Sequence, residues 1–595
     1  MAVSYTPDGV PRHDAFRCTF IGPAGAEIAA WLHHGAGHSP HRTGVVLCGT
    51  LGAESLSTHW PLRVLAESLA ARGCPCLRFD YAGTGDSTDG PDGMLRASTC
   101  VANVRAAIRS IRTLVPVDRV VLVGLRLGSL FAMEAARRDE VAGLVLWGPV
   151  VSGRRFAREW KRLARSAGGS DAPDDASEIH AAGFALPQAF LDDLAAIDLL
   201  ESRPAGAPAC LVVEREELPP EDRLVARLET LGSCTARLRP GGFLEAMMSD
   251  PHLAKLPVAA IREMGAWISN VGQDAPPQRP GACTEPVRSD MTAVPRAAAG
   301  AAADGAVRER FLDPEQTGGL FGVVSEPADG AAWNGQCVIL LNSGSMHHIG
   351  PNRMYVTIAR RLAAQGSRVC RADLDGLGDS RVRAGAREND PYPAGVLDDV
   401  AGLIQALDRS GEPSRTVLLG LCSGAWASFQ AALVFDRITA VVLLNPDFYG
   451  ERSVVGKPPS FVRQKDFSHY KHSARSWRKW KKLMRGEADL TKIRRVLWNQ
   501  ARLTLASWAT HAAGGHHPLD ADLAALAGRG VRVGFIFSPG DGGIDFLAMN
   551  GRNGLERLRR AGLLSELTID GADHTFSPAR SQAELLDTLS NWLRA

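Results

Sequence analysis

The sequence predicts an α/β protein of two tandem domains, each a mainly parallel sheet flanked by helices. Three observations carry that expectation. Short apolar strands alternate with amphipathic helical runs, the pattern of right-handed βαβ units. The same succession of strands and glycine-rich turns occurs twice along the chain. At 595 residues the chain exceeds what one core supports, and two domains of about 270 residues are the natural division.

In the first copy, Gly44-Val45-Val46-Leu47-Cys48 forms an apolar strand ending in Gly49-Thr50-Leu51-Gly52. A helical run through Leu65, Leu69 and Ala70 follows, and Cys76-Leu77-Arg78-Phe79-Asp80 then leads into Gly83-Thr84-Gly85-Asp86-Ser87. Val120-Val121-Leu122-Val123 runs into Gly124-Leu125-Arg126-Leu127-Gly128, and Leu144-Val145-Leu146-Trp147 is the next strand. The second copy repeats each step: residues 338–341 end in Ser343-Gly344-Ser345, and Arg371-Ala372-Asp373 leads into Gly376-Leu377-Gly378-Asp379-Ser380. Thr416-Val417-Leu418-Leu419 then meets Gly420-Leu421-Cys422-Ser423-Gly424, with a further strand at residues 441–444. Residues 1–272 and 307–595 are the expected domains. Residues 273–306, rich in Pro, Ala, Gly and Arg without a sustained period, read as a flexible or partly extended linker. Each copy carries an insertion after the strand that follows its glycine-flanked turn, at residues 152–208 and 449–515.

A formal charge of +2, with 45% apolar and 22% charged residues, gives no global signal for nucleic acid. The start of the chain shows neither a basic stretch nor an apolar segment, and no run approaches the roughly 18 apolar residues of a membrane span. A cytoplasmic location is expected. The 11 cysteines are scattered without paired zinc-ligand spacing, which reads as free thiols in a reducing compartment. No cofactor is called for. His347-His348 forms an adjacent pair, but with no carboxylate at ligand spacing these two, like His469, His472, His516 and His517, are expected to be solvated loop residues.

The turn around Cys422 organises the rest. A sharp strand-to-helix turn needs glycine two places before and two places after its apex, because side chains there collide with neighbouring strand and helix. Gly420 and Gly424 flank Cys422 in that way; centring the turn on Ser423 would put Leu421 and Ala425 in the glycine places. This GxCxG box resembles the nucleophile elbow of the α/β-hydrolase superfamily, and the chain resembles that superfamily over nearly its whole length. With sulfur as nucleophile, the box is similar to the elbows of dienelactone hydrolases and polyhydroxyalkanoate synthases.

The resemblance implies partners. Its base position, just beyond the last strand and before a closing helix, falls on His574 in Asp570-Gly571-Ala572-Asp573-His574. Its usual acid position falls on Asp541, after the strand Val533-Gly534-Phe535-Ile536-Phe537; Asp545 and Asp447 are the rival acids, and helix capping or turn formation is the plain alternative for all three. His574 would take the thiol proton, Asp541 would hold the imidazole, and the backbone N–H groups of Ser423 and Ser345 would form the oxyanion hole. The positive end of the following helix also favours a thiolate. Such a site implies acyl transfer or hydrolysis on acyl-coenzyme A, carrier-bound or ester substrates, with an acyl carrier protein as a possible partner. The insertions match the superfamily's caps.

The first copy reads as catalytically empty. Arg126 holds its nucleophile place and a guanidinium does not attack; Gly241-Gly242-Phe243-Leu244 stands where the second copy has its histidine, and the nearest one, His252, is eight residues past Leu244. Arg126 at a helix N-terminus could bind a carboxylate or phosphate, or be tied to one of the domain's own acids. The Gly-Leu-Arg-Leu-Gly elbow resembles one of the hydrolase families found beside bacterial exosortase and exopolysaccharide loci, and the second elbow resembles the companion family, departing from its pattern after Cys422. This implies a biosynthetic setting. The run from Tyr470 to Arg485, with Trp477 and Trp480 among lysines and arginines, is either a solvated cap face or a docking helix for an acidic carrier, a coenzyme A phosphate or a membrane surface. The competing class is a scaffold whose two hydrolase folds hold a partner enzyme or carrier.

Overall fold

The computed structural model describes residues 4–5, 9–35, 42–89, 95–166, 177–181, 183–274, 286–293, 305–328, 333–408, 415–446 and 518–594. The second insertion at 449–515, Asp447, the basic run and His469, His472, His516 and His517 lie outside these residues. By packing, the chain forms two compact units: Met1–Glu315, Gly319–Asn334 and Ser345–Arg383 make the first, and Gln316–Gly318, Gly335–Gly344 and Ala384–Ala595 the second. The repeat and the units divide the chain differently, because part of the second copy packs with the first.

The first unit holds a sheet with strand order Thr235–Leu238, Ala209–Val213, Gly143–Trp147, Arg119–Leu125, Thr43–Cys48, Cys76–Phe79, Ile28–His33, Phe16–Ile21, Val287–Arg288. Pairing is parallel from Thr235–Leu238 through Cys76–Phe79 and antiparallel beyond. Alternate residues of the central strands face separate cores, Val46, Leu122 and Val212 on one side and Val45, Leu47 and Val123 on the other. Helices cover both faces, and the strands accordingly read as unbroken apolar runs. The same unit holds the antiparallel strands Asp290–Ala293, Val307–Phe311, Gly322–Pro327 and Arg368–Ala372. Two of the strands named here, Val287–Arg288 and Asp290–Ala293, thus come from the stretch read as a linker. An aromatic cluster joins the two sets: Phe20 stacks on Phe311 at 4.6 Å, and Trp31 meets Phe311 edge-on at 6.0 Å.

The repeated Gly-x-Gly-Asp-Ser turns explain themselves locally. Gly85 has φ +48, and a Cβ there would lie 1.9 Å from Asp80 Oδ2; Gly378 has φ +49 and would meet Asp373 Oδ2 at 2.1 Å. In each turn the strand-end aspartate accepts the N–H of Asp86 or Asp379, and the serine hydroxyl donates to its carbonyl. The side chains of Asp86 and Asp379 are therefore left to point elsewhere, and they are exchanged between copies. Arg78 Nη2 donates to Asp379 Oδ1 at 2.5 Å, while Arg371 donates to Asp86 from Nη1 and to Glu309 Oε1 from Nη2. His348 joins Asp86 Oδ2 (2.6 Å, through Nε2) to Asp373 Oδ2 (2.8 Å, through Nδ1). The expectation that His347 and His348 are solvated is overturned: they are 6% and 1% exposed. Their carboxylate neighbours lie hundreds of residues away or on the next strand, where no local spacing reveals them.

The second unit contains the parallel strands Gln336–Leu341, Arg415–Leu421, Ile438–Leu444, Arg532–Phe537 and Leu564–Thr568, each paired to the next in that order. The helix Ser423–Val434 follows the second of these; its buried face is mostly Gly, Ala and Ser, which lets helix and strand approach closely.

Candidate active site

Cys422 lies at the apex between the strand Arg415–Leu421 and the helix Ser423–Val434, with φ +56 and ψ −113. A non-glycine residue in that region carries strain on the order of 1–3 kcal/mol and is held only by over-determined surroundings. The surroundings are the flanking glycines. A Cβ on Gly420 would lie 2.1 Å from the Gly424 carbonyl carbon, and one on Gly424 would lie 2.4 Å from Leu341 O and 2.6 Å from Asn342 O. The Cys422 N–H is tied to Leu444 O at 3.0 Å. Cys422 itself is 6% exposed.

His574 lies in the loop after Leu564–Thr568. Its Nδ1 is 3.3 Å from Asp541 Oδ2, and it shares a hydrogen bond with Cys422. Burial works against the imidazolium, but the hydrogen bonds and charges of Asp541 and Cys422 outweigh it and raise the ring to about 10. The side chain keeps 42% of its surface exposed, so solvent tempers that balance. Asp541 is also the N-cap of the helix Gly542–Asn550: its Oδ1 accepts the N–H of Gly543 at 2.9 Å. The carboxylate thus caps and orients at once. Asp545 stands in the first turn of the same helix.

Sequence reasoning passed over Asn445. Fully buried and at φ +38, it accepts the Ser538 N–H at 2.8 Å and donates from Nδ2 to His574 O at 2.9 Å. One amide thereby ties together the ends of two strands and the histidine loop. Nothing in the local sequence marks this role, since the partners lie 93 and 129 residues away.

Ser423 opens its helix, so its N–H is among those without an intrahelical partner. Its hydroxyl accepts from Gly344 N at 2.8 Å, fastening the loop after Gln336–Leu341. Ser345 follows in that loop and is 8% exposed.

At the first copy's elbow Arg126 has φ +52, close to the value at Cys422. Its guanidinium is spent internally: Nε and Nη2 donate to the Glu54 carboxylate at 3.1–3.3 Å, and Nη1 to Gly148 O at 3.2 Å. The domain's own acid, rather than an outside anion, occupies it.

Among the described residues, His348, Asp373 and Asp379 bring potential metal-ligand atoms within 4.8 Å of one another. Burial opposes an imidazolium there, yet Asp86 and Asp373 raise His348 to about 10, so both ring nitrogens are donors. Arg78 already holds Asp379, and the cluster is an ion-pair network. A separate groove of about 610 Å³, lined by Phe537, Ile544, Leu547, Arg559 and Leu567 among others, includes none of Cys422, Asp541 and His574. No helix among the described residues is long and apolar enough to cross a membrane. Every cysteine among them is free.

Two sheet-bearing copies, each with a glycine-flanked strand-to-helix apex, define an α/β-hydrolase-fold protein, and the chain is similar to the α/β-hydrolase superfamily. A family model described as serine aminopeptidase, S33, matches residues 56–181 and 335–504, a segment in each copy. The alpha/beta hydrolase domain-containing protein aho-3 of Caenorhabditis elegans is 31% identical over 86 residues, 14% of this chain. The chain spans a quarter (25%) of that relative's length. Among solved structures, the esterase Est1E of Butyrivibrio proteoclasticus, with ferulic acid bound, is 20% identical at a TM-score of 0.31 over 42% of this chain and 98% of that one. Dienelactone hydrolase of Anabaena variabilis is 14% identical at 0.28 over 48% and 96%.

Proposed function

We propose that the second copy, within residues 307–595, is a cysteine-dependent acyl hydrolase or acyltransferase, and that the first, residues 1–272, is without catalysis of its own. The observation that carries this reading is the chain of hydrogen bonds from Cys422 to His574 to Asp541, with the sulfur on a strained apex. The thiol proton of Cys422 passes to His574. The thiolate attacks the acyl carbonyl, and the oxyanion is taken by the Ser423 N–H with a second donor from the loop of Ser345. The tetrahedral adduct collapses as His574 passes its proton to the departing thiol or alcohol, leaving an acyl-thioester on Cys422. Neutral His574 then removes a proton from water or an acceptor hydroxyl, whose oxygen attacks the thioester and returns the cysteine. Loss of one oxyanion donor in such a step costs about 2.7–4 kcal/mol.

Sulfur in the nucleophile place supports acyl-thioester donors, since thiolates exchange readily with thioesters and the acyl-enzyme can pass its group onward. Coenzyme A esters and carrier-bound acyl chains are the substrate classes of choice. Incubation with a panel of short- and medium-chain acyl-thioesters, followed by intact-mass measurement, tests this. The expected result is one acyl adduct that is absent in Cys422→Ala. No adduct and no turnover with any donor would favour the scaffold reading instead.

A further inference from the structure

Within the second unit, the strand Ile438–Leu444 lies between the strand that carries Cys422 and the strand that leads to Asp541. Leu444 is level with Leu421 on one side and with Ile536 on the other, so the chain leaving this strand passes between the elbow and the acid loop. Each of the three residues proposed for acyl transfer is tied to it there, directly or through one neighbour. Leu444 O accepts the Cys422 N–H at 3.0 Å, and the Asn445 N–H donates to Ile536 O at 3.0 Å. Asn445 Oδ1 accepts the Ser538 N–H at 2.8 Å, and Ser538 O in turn accepts the Asp541 N–H at 3.2 Å. Asn445 Nδ2 donates to His574 O at 2.9 Å.

The residue type follows from the place. Asn445 is fully buried at φ +38, a left-handed backbone that glycine, asparagine and aspartate adopt most readily. Glycine brings no side chain, and an ionised aspartate accepts without donating; asparagine offers both an acceptor and a donor. The partners set the way the amide faces, since a backbone N–H needs its oxygen and a backbone carbonyl needs its nitrogen. His574 itself lies in a turn shaped by bonds to Asp573, from the N–H groups of Thr575, Phe576 and Ser577. Those bonds close the turn on itself, whereas the Asn445 amide joins it to the strands that lead to Cys422 and Asp541.

We infer that Asn445 is a positioning residue for acyl transfer at Cys422: its amide sets the spacing of the acid and base loops, so that the His574 ring reaches Asp541 and the sulfur together. The inference rests on the acyl-transfer reading and bears on one of its steps. When Sγ has attacked an oxygen ester, the tetrahedral adduct holds two leaving groups, and the thiolate is the better one. Forward collapse breaks the C–O bond and places the His574 proton on the departing oxygen; without that proton the C–S bond breaks again. A thioester donor releases a thiolate, which leaves without a proton. A ring displaced by about 1 Å can cost about 100-fold in rate, and the loss falls first on oxygen esters.

The test uses full-length protein, wild type and two variants that keep the left-handed backbone. Asn445→Asp retains an acceptor for Ser538 and, when ionised, gives up the donor to His574; Asn445→Gly gives up both. Acylation of Cys422 is followed by intact mass in single turnover, with an alkyl ester and a thioester of the same acyl group, and melting curves are recorded beside it. Expected is an alkyl-ester rate lowered about 100-fold in both variants, with a smaller loss for the thioester, so that the ratio of the two rates shifts towards the thioester. A wild-type alkyl-ester rate in N445G, or equal losses with the two donors, would overturn the inference, because an amide that merely supports the fold would lower both alike. Wild type acylated by the thioester alone also overturns it, since a placed His574 serves the oxygen ester, and the acyl-transfer reading then stands. Should N445G not melt cooperatively, N445D decides alone. Wild type that neither donor acylates sinks the acyl-transfer reading itself, and this inference with it.

Discussion

At Asp541 one carboxylate serves two partners, the Gly543 N–H and the His574 ring, and a single substitution can separate them. Asp541→Asn keeps an oxygen for the cap, which is worth about 1 kcal/mol, but offers the ring an amide in place of a charge. The thermal midpoint is expected to stay put while the acylation rate falls by up to about 10⁴-fold; equal losses in stability and rate would mean that capping is the only role. The pH dependence follows from the sign of the shift. His574 is raised to about 10, so it keeps its proton below that value and loses it above. Acylation by an oxygen ester, whose leaving alkoxide needs a proton, should therefore persist through neutrality and decline as pH rises through about 10. Removing the Asp541 charge should move the decline to lower pH, as a single-turnover pH profile would show. Cys422 was readable from two glycines, and His574 and Asp541 from strand order. Asn445 was not, because its role lies in bonds to Ser538 and His574, distant in sequence.

The elbow is the element whose geometry dictates its own composition. Gly424→Ala would drive a Cβ to 2.4 Å from Leu341 O, and relief requires helix and strand to separate. A loss on the order of 1–3 kcal/mol is expected, together with loss of Cys422 alkylation at neutral pH as the apex relaxes. Chemical denaturation and the iodoacetamide rate measure the two, and a fully stable, fully reactive Gly424→Ala would contradict the steric account. The Gly-x-Gly-Asp-Ser turns obey the same logic, since Gly85 and Gly378 abut the carboxylates of Asp80 and Asp373. Gly420, Gly85 and Gly378 are legible in a sequence because the clashes that demand them are local, whereas Gly424 answers to Leu341 and Asn342 at the end of the neighbouring strand and is read through the recurring strand-turn-helix pattern. What the freed Asp86 and Asp379 side chains do next is not local, and the repeat alone could not disclose it.

Across the first unit, the exchanged pairs Arg78 with Asp379 and Arg371 with Asp86, and the bridge through His348, make stability depend on pH in two windows. Burial opposes the Asp86 and Asp379 charges, but His348 and Arg371 for the one, and Arg78 and His59 for the other, hold both carboxyls below their ordinary range. Their contribution is present above pH about 4 and is lost as pH falls through the lowered values. His348 is raised to about 10, so its contribution is complete below pH about 6.5 and disappears as pH climbs from there towards 10. Unfolding free energies at pH 7 and pH 9.5 should differ by on the order of a few kcal/mol more in the wild type than in His348→Gln; identical differences would remove His348 as the titrating bridge.

Alternation of apolar runs, paired glycines and the order of strands were enough, in the linear chain, to specify two hydrolase-type sheets and to nominate a sulfur, an imidazole and a carboxylate. Each of those signals arises from backbone geometry within a few residues or from the fixed succession of βαβ units. Which buried charges would meet, and that part of the second copy packs with the first, was decided in three dimensions. Asp86 and His348 are 262 residues apart and Arg78 and Asp379 are 301 apart, and a pairing of that range acquires its energy only when desolvation brings the partners together.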